Sequence, residues 1–200
     1  MTTAFNFQSF PLLEAPRLHL RALTRADAEA IIAIYGSPEV LAYLNMEPVI
    51  THEQAIGLID WFTGTYERHE GVQWAFALRD SGQIIGTGGI YDWDQSDRHV
   101  DIGYHILPSH WGQGYATEAT RAMLGWCFDA LRVHRVQADC TDGNLGSERV
   151  LLKCGFQVEG LWRESCWERL WRESCWEHGR FVNIKQFGLL EHEFRQKKAP

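Results

Sequence analysis

The sequence predicts a mixed α/β fold (α+β) on a largely antiparallel sheet. Three observations carry that expectation. Segments of alternating polarity stand between closely spaced turn signals, three of them in a row, as in an antiparallel meander. Longer segments with N-terminal caps and glycine stops read as helices before and after the meander. A glycine-rich loop joins the third meander strand to a long helix.

Residues 1–16 read as a loose N-terminal arm ending at Pro16. "RLHLRAL" is the first strand, with Leu18 and Leu20 on one face. In "TRADAEAIIAIYG", Thr24 caps a helix, Asp27 sits in its first turn and Gly36 stops it. Ser37–Pro38 opens "SPEVLAYL" as a cap followed by a first-turn proline. Thr51 and Gln54 form a capping box for "THEQAIGLIDWFTGTYERH". The meander is "VQWAFAL", "IIGTGGIY" and "HVDIGYHIL". After the glycine loop come the helix "ATEATRAMLGWCFDAL", the strand "RVQADC" and the helix "NLGSERVLLKCG", closed by Gly155. The last strands are "FQVEGLW" and "FVNIKQFGLLEHEF", and residues 195–200 are expected to be a frayed tail. Nothing in composition marks a linker, so 17–194 reads as one domain.

Two hundred residues suffice for a sizeable core. A net charge of −7 argues against a basic face for nucleic acid or anionic membrane and suits a cationic partner. No apolar run is long enough to span a bilayer, and "MTTAFNFQSF" lacks the pattern of a secretory signal. Five cysteines, an odd number with no CxxC pair, favour reduced thiols and a cytoplasmic setting.

In "LPSHWGQGYATEA", Gly112 and Gly114 let a ligand approach the backbone, and the helix that follows offers unpaired N–H groups and a positive dipole end. That combination suits a phosphate. A dinucleotide fingerprint would need a third glycine where Thr117 stands, and a nucleotide P-loop would need a lysine that is absent. A plain strand-to-helix turn without a ligand remains open on this loop alone.

"WGQGYATEA" resembles the pyrophosphate loop of the GNAT acetyltransferases, Q/R-x-x-G-x-G/A, with Gly114 and Ala116 at its small positions and Trp111 in place of the usual Gln or Arg. "NLGSERVLLKCGFQVEG", "VDIGYHILPSHWGQGYATEA" and "RLHLRALTRADAEAI" are similar to the branch that acetylates ribosomal-protein N-termini, the Rim type. The resemblance implies a GNAT-type sheet, splayed between two central parallel strands, with helices on both faces. It implies acetyl transfer from acetyl-CoA to a primary amine, a protein N-terminus or a small molecule, directly in a ternary complex. The pyrophosphate would lie on backbone N–H groups of Trp111, Gly112, Gln113, Gly114, Tyr115, Ala116 and Thr117. The pantetheine would lie in the splay against Ile106 and Leu107. Asn144 matches a cofactor-contacting position and is equally a plain helix N-cap.

Catalysis would need an oxyanion donor, expected at a bulge around Gly103, and a proton acceptor, because alkylammonium ions are protonated at neutral pH. Alternation places Asp101, Gly103 and His105 on one face and Val100, Ile102, Tyr104 and Ile106 on the other. Asp101 and Asp92 are the leading candidate acceptors, with His105 and Asp94 beside them, weighed against a merely solvated strand face and a polar hairpin loop. An EF-hand reading of "DWDQSD" fails for want of its glycine and terminal glutamate. Many family members protonate the leaving thiolate with a tyrosine, and Leu151 stands at that position. Ser147 matches a serine given that role in the Rim branch, or else bonds locally in the first helical turn. The missing tyrosine keeps an alternative in view: an acyl-CoA-binding sensor without turnover.

"LWRESCWERLWRESCWEH", 161–178, is a nine-residue phrase said twice. A nine-residue shift turns the second copy to the opposite face in a helix or a strand. Cys166 and Cys175 lack further zinc ligands at sensible spacing, and three Arg against four Glu disfavour nucleic acid. One copy is expected to be extra to a hairpin turning near His178–Arg180. Its tryptophans would close over the substrate mouth or onto a second copy of the chain, giving a homodimer.

Overall fold

A computed structural model describes residues 7–44, 46–163 and 182–198. One eight-stranded sheet runs in the order β1-β2-β3-β4-β5-β6-β8-β7. Its strands are β1 (Leu13–Glu14), β2 (Leu18–Ala22), β3 (Val72–Leu78), β4 (Ile84–Asp94), β5 (His99–Ile106), β6 (Arg135–Thr141), β7 (Gln157–Trp162) and β8 (Ile184–Leu190). Every neighbouring pair is antiparallel except β5–β6. The helices are α1 (Ala28–Tyr35), α2 (Pro38–Leu41), α3 (His52–Glu67), α4 (Tyr115–Trp126), α5 (Leu145–Cys154) and α6 (Glu191–Lys198).

The sheet is covered on both faces, which is why β3 is apolar at every position but Gln73 rather than alternating. Trp74 and Phe76 point into a core shared with Ile85, Ile102 and, from α4, Met123. Ala75 and Ala77 point the other way, and their small side chains let α1 and α3 close on the sheet through Ile31, Ile34 and Ile59.

The caps fall where the residue chemistry puts them. Gln54 N–H donates to Thr51 Oγ1 (3.2 Å) and Thr51 N–H to Gln54 Oε1 (3.0 Å). Asp27 closes a 3-10 turn ahead of α1: it accepts from Thr24 N–H (2.7 Å) and bidentately from Arg21 (both 2.8 Å). Burial of that carboxyl opposes its charge, but Arg21 and Thr24 outweigh it and hold its pKa below the usual value.

Two expectations are corrected. Residues 7–16 are not loose: Glu14 pairs with His19, Phe7 and Phe10 pack on Tyr66, and buried Trp74 donates its indole N–H to Pro11 O (2.7 Å). The last strand ends at Leu190, and the residues read as its end and a frayed tail form α6. Glu193 accepts from Leu190 N–H (2.9 Å), and Arg195 bonds Glu191 one turn back (2.9 Å), so capping and ion pairing select the helix.

Trp162 pairs with Ile184 at the described end of the β7–β8 ladder. The hairpin tip near His178–Arg180 and the homodimer contact expected of the repeat lie outside the described residues, as do Cys166 and Cys175.

Candidate active site

The parallel pairing of β5 with β6 covers only His99–Asp101 against Arg135–Gln137. Beyond that point the strands diverge into a fork, with Ile102–Ile106 on one prong and Ala138–Thr141 on the other. A cavity of about 1920 Å³ passes through the fork and joins the two faces of the sheet. The glycine loop, Asn144 and Ser147 line it on the α4–α5 side, and Asp92, Asp101 and Asp139 on the α1–α3 side.

Gly112 (φ 73°) and Gly114 (φ 86°) both adopt the left-handed backbone that only glycine takes without strain. Gly114 is the N-cap of α4, so the first-turn N–H groups of Tyr115, Ala116 and Thr117 have no intrahelical acceptor. A Cβ at Gly112 would meet nothing within 4 Å, so the loop is open on that side. Its shape is fixed from below. Trp111 donates its indole N–H to Ile106 O (2.6 Å). Arg17 donates to Gln113 O (3.1 Å), lies 4.2 Å over the Tyr115 ring and pairs with Glu118 (2.8 Å).

Several assignments change as a result. Trp111 N–H already bonds Pro108 O (3.1 Å), so Trp111 offers the loop its indole rather than a backbone donor. Gln113 turns its side chain to Ser109 O (2.9 Å), which leaves its expected role, a backbone N–H in the loop, as it was. Leu107 N–H donates to Ile85 O (2.8 Å) and Leu107 is also absent from the cavity wall. That bond fixes the ladder parity: odd-numbered β5 residues exchange hydrogen bonds with β4, while the N–H groups of Tyr104 and Ile106 face the fork. Gly103 therefore offers its N–H to β4, not to a ligand. No bulge occurs at Gly103, which pairs with Gly89; the irregularity lies on β4 between Tyr91 and Asp94, where Asp92 has φ 49°.

Gly103 has a different use. A Cβ there would stand 3.3 Å from the Tyr91 ring, which crosses over Gly103 to donate its hydroxyl to Ile102 O (3.3 Å) inside the fork. Burial and the charges of Asp139, Asp101 and Asp92 push the Tyr91 phenol well up, so it stays a donor.

On the α5 side, Asn144 Oδ1 accepts from Ser147 N–H (3.1 Å), so Asn144 is a helix N-cap at the cavity wall. Ser147 Oγ lies 3.0 Å from Tyr104 Oη. Leu151 is buried in the core and its edge reaches the cavity.

On the opposite face, Asp101 accepts from Gln137 Nε2 (3.0 Å). His105 is half-buried against Tyr35 Oη (3.2 Å), which also bonds Thr87 (2.7 Å), so this face is not simply solvated. Burial pushes His105 down to about 4, and it is neutral at pH 7. Asp139 escaped the sequence reading. Its burial, and then the charges of Asp101 and Asp92 against the bond from Gln186, push its carboxyl up to about 8. Asp94, Asp97 and His99 bring ligand atoms within 4.8 Å of one another in the β4–β5 turn. Asp94 Oδ1 is used there to hold the N–H groups of Ser96 (2.7 Å) and Asp97 (2.9 Å).

Among the described residues the arginine and lysine on the cavity wall, Arg149 and Lys153, both come from α5. The far side carries Glu39, Glu47, Asp92, Asp101 and Asp139 beside Tyr43, Trp61 and Phe62. An amine-bearing, positively charged guest fits that side; a carboxylate does not.

The Acetyltransferase (GNAT) domain family matches residues 17–157. The chain is 41% identical over 155 residues to the uncharacterised N-acetyltransferase YoaA of Bacillus subtilis, covering 78% of this chain and 88% of that protein. Among solved structures it is similar to Mycobacterium smegmatis RimJ in complex with CoA-disulfide, with a TM-score of 0.77, 20% identity and coverage of 94% and 93%. It is likewise similar to spermidine N-acetyltransferase from Vibrio cholerae in complex with CoA and spermine, with a TM-score of 0.75, 20% identity and coverage of 90% and 98%. At those identities the two structures speak for the shared fold alone. A forked sheet, a glycine loop at a helix mouth and a family match over most of the chain agree: this chain belongs to the GNAT acetyltransferase family, resembles its Rim-type branch, and is an acyltransferase enzyme.

Proposed function

We propose that the chain moves an acetyl group from acetyl-CoA to a primary amine by direct transfer in a ternary complex. The observation that carries this is the cavity running through the fork, with an anion cradle at one end and carboxylates at the other. The first-turn N–H groups of α4 and the open backbone at Gly112 and Gly114 would hold the diphosphate. The N–H groups of Tyr104 and Ile106 would pair with the pantetheine arm as a missing strand would, and Tyr104 N–H would be the donor for an oxyanion in the fork. Ser147 would protonate the departing thiolate. Asp92 and Asp101 would draw the ammonium in from the other face.

In this reading 17–194 works as one catalytic unit, with the extra copy of the repeat carried in the β7–β8 connection. The favoured acceptor is an amine without a neighbouring carboxylate: a diamine, an aralkylamine or a protein N-terminus. The described cysteines, Cys127, Cys140 and Cys154, are buried and unpaired, which suits the expected cytoplasmic setting. Among the described residues no helix is long and apolar enough to cross a membrane.

The test is thiol release from acetyl-CoA with 1,4-diaminobutane, benzylamine, a serine-initiated peptide, an alanine-initiated peptide and free alanine. Turnover is expected with one or more of the first four and little with free alanine. Thermal protection by acetyl-CoA with no release for any amine would overturn transfer and leave the sensor reading.

A further inference from the structure

Asp139 stands where the sheet opens between β5 and β6. The β5–β6 ladder closes at Asp101–Gln137, and Asp139 is the next β6 residue on the same face, just inside the fork. Its register partner is Gln186 on β8, whose amide reaches Asp139 Oδ2 only at 3.5 Å. Its other oxygen, Oδ1, is closed to solvent and accepts no hydrogen bond from the described residues. A carboxylate left this way is short of the donors that normally accompany burial.

The surrounding charges do not make up the deficit. From β4, Tyr91 and Asp92 face it, and from β5, Asp101. The cations on adjoining strands are committed elsewhere. Arg135 on β6 is held by Glu159 of β7 (2.9 Å), and Lys185 on β8 by Glu148 (2.8 Å) and Asp142 (3.2 Å). What the position lacks is a cation carrying N–H donors, and the cavity leads to it from the acidic, aromatic side.

We propose that Asp139 is the group that receives the substrate's proton, with Asp101 tuning it across the fork. This rests on the acetyl-transfer reading above and names the residue that reading leaves open. An arriving R–NH3⁺ gives one proton to the Asp139 carboxylate on the side of that residue that lines the cavity. The freed lone pair attacks the thioester carbonyl, forming the C–N bond. The C–S bond then breaks. The nitrogen loses its excess proton as the thiolate gains one, and the proton on Asp139 leaves to solvent. The balance is R–NH3⁺ plus acetyl-CoA giving the N-acetyl amine, CoA thiol and H⁺. A base that titrates near 8 because of its burial and the Asp101 charge is matched to an ammonium at cellular pH.

The experiment follows kcat and kcat/KM against pH, with whichever of the four acceptors above turns over fastest. Asp139→Asn is expected to lose about a hundredfold or more in kcat, with thermal protection by acetyl-CoA retained. Two neighbours give signed readouts that a structural role would not produce. Asp101→Asn removes a negative charge, so the acid limb of kcat/KM should move to lower pH. Gln186→Leu removes the hydrogen bond that favours the ionised form, so the limb should move to higher pH. Turnover by Asp139→Asn within threefold of wild type overturns the proposal, as does a limb that stays in place in both neighbour variants; the latter decides the matter should Asp139→Asn fail to fold. Absence of turnover by the wild type with every acceptor would instead strike the acetyl-transfer reading itself.

Discussion

Tyr104 Oη lies 3.0 Å from Ser147 Oγ, tying strand β5 to helix α5 on the loop side of the fork. Burial raises the Tyr104 phenol well above its ordinary value, against a lowering by Ser147 and with Cys154 and Cys140 adding to the rise, so it stays protonated. Its one hydrogen lies within reach of both Ser147 Oγ (3.0 Å) and Ser147 O (3.3 Å), and the Ser147 hydroxyl also faces Cys140, so the serine must turn its hydrogen from these neighbours to a departing thiolate. Ser147→Ala should lower kcat by about tenfold, below the usual range of general-acid effects because a thiolate leaves readily. Tyr104→Phe should have a smaller effect in the same direction. Neither should change the KM for acetyl-CoA much. Steady-state kinetics with both substrates varied checks this; a larger loss in Tyr104→Phe than in Ser147→Ala would make the phenol the donor.

Gly114 separates conformation from space. A Cβ there meets only Arg17 Nη2, at 3.5 Å, so alanine fits sterically. The φ of 86° is what alanine resists, at about 1–2 kcal/mol. Either the loop keeps its shape and the protein loses that stability, or it relaxes and loses the aligned N–H groups at the α4 mouth. Gly114→Ala is expected to raise the KM for acetyl-CoA by about tenfold with kcat nearly unchanged, the signature of lost ground-state binding. Calorimetric titration with CoA gives an independent reading. Unchanged affinity would remove the loop from the cofactor site.

Gly103 tests the opposite face. A methyl there meets the Tyr91 ring at 3.3 Å and must push it by a few tenths of an ångström, which strains its 3.3 Å bond to Ile102 O. Gly103→Ala is expected to lower kcat/KM for the amine by roughly tenfold while the KM for acetyl-CoA stays put. Tyr91→Phe, which removes only the hydroxyl, should lie between this variant and wild type. Equal effects on both substrates would mean that the sheet itself had shifted.

The parts of the site legible in the sequence are those set by local chemistry. Thr51, Gln54, Gly114 and Asn144 act through backbone conformations or caps that a few neighbours determine. Tyr104 was assignable to its face by alternation, but its meeting with Ser147 depends on how α5 crosses β5. Asp139 was hidden for a tertiary reason. In "RVQADC" it is one polar residue of an alternating strand, and its importance comes from where the β5–β6 pairing stops. Leu107 is turned to β4 by ladder parity, which a motif does not encode. The helix α6 was readable: Glu191, Glu193 and Arg195 carry helix-start and one-turn pairing signals that a period-two reading of "EHEF" overrode.

Stability should carry the mark of the site's electrostatics. Asp139 titrates at about 8 in the folded chain against 3.8 for an unperturbed carboxyl. The folded state therefore holds a proton that the unfolded state has released, so the favourable contribution is complete below the lower value and is lost as pH rises toward the higher one. Asparagine at this position cannot ionise. Asp139→Asn should match wild type near pH 4 and exceed it at pH 8, with a Tm gap of several degrees, even as activity falls. His105 runs the other way. Its folded pKa of about 4 lies below the ordinary 6.5, so its contribution is present above 6.5 and is lost as pH falls toward 4. His105→Gln should flatten the acid side of the Tm profile and leave the alkaline side alone. Scanning calorimetry from pH 4 to 9 on the three proteins separates the two groups. A gap between Asp139→Asn and wild type that did not widen with pH would mean that the carboxyl is ionised and compensated in the folded protein, and its fit to an incoming ammonium would lose its basis.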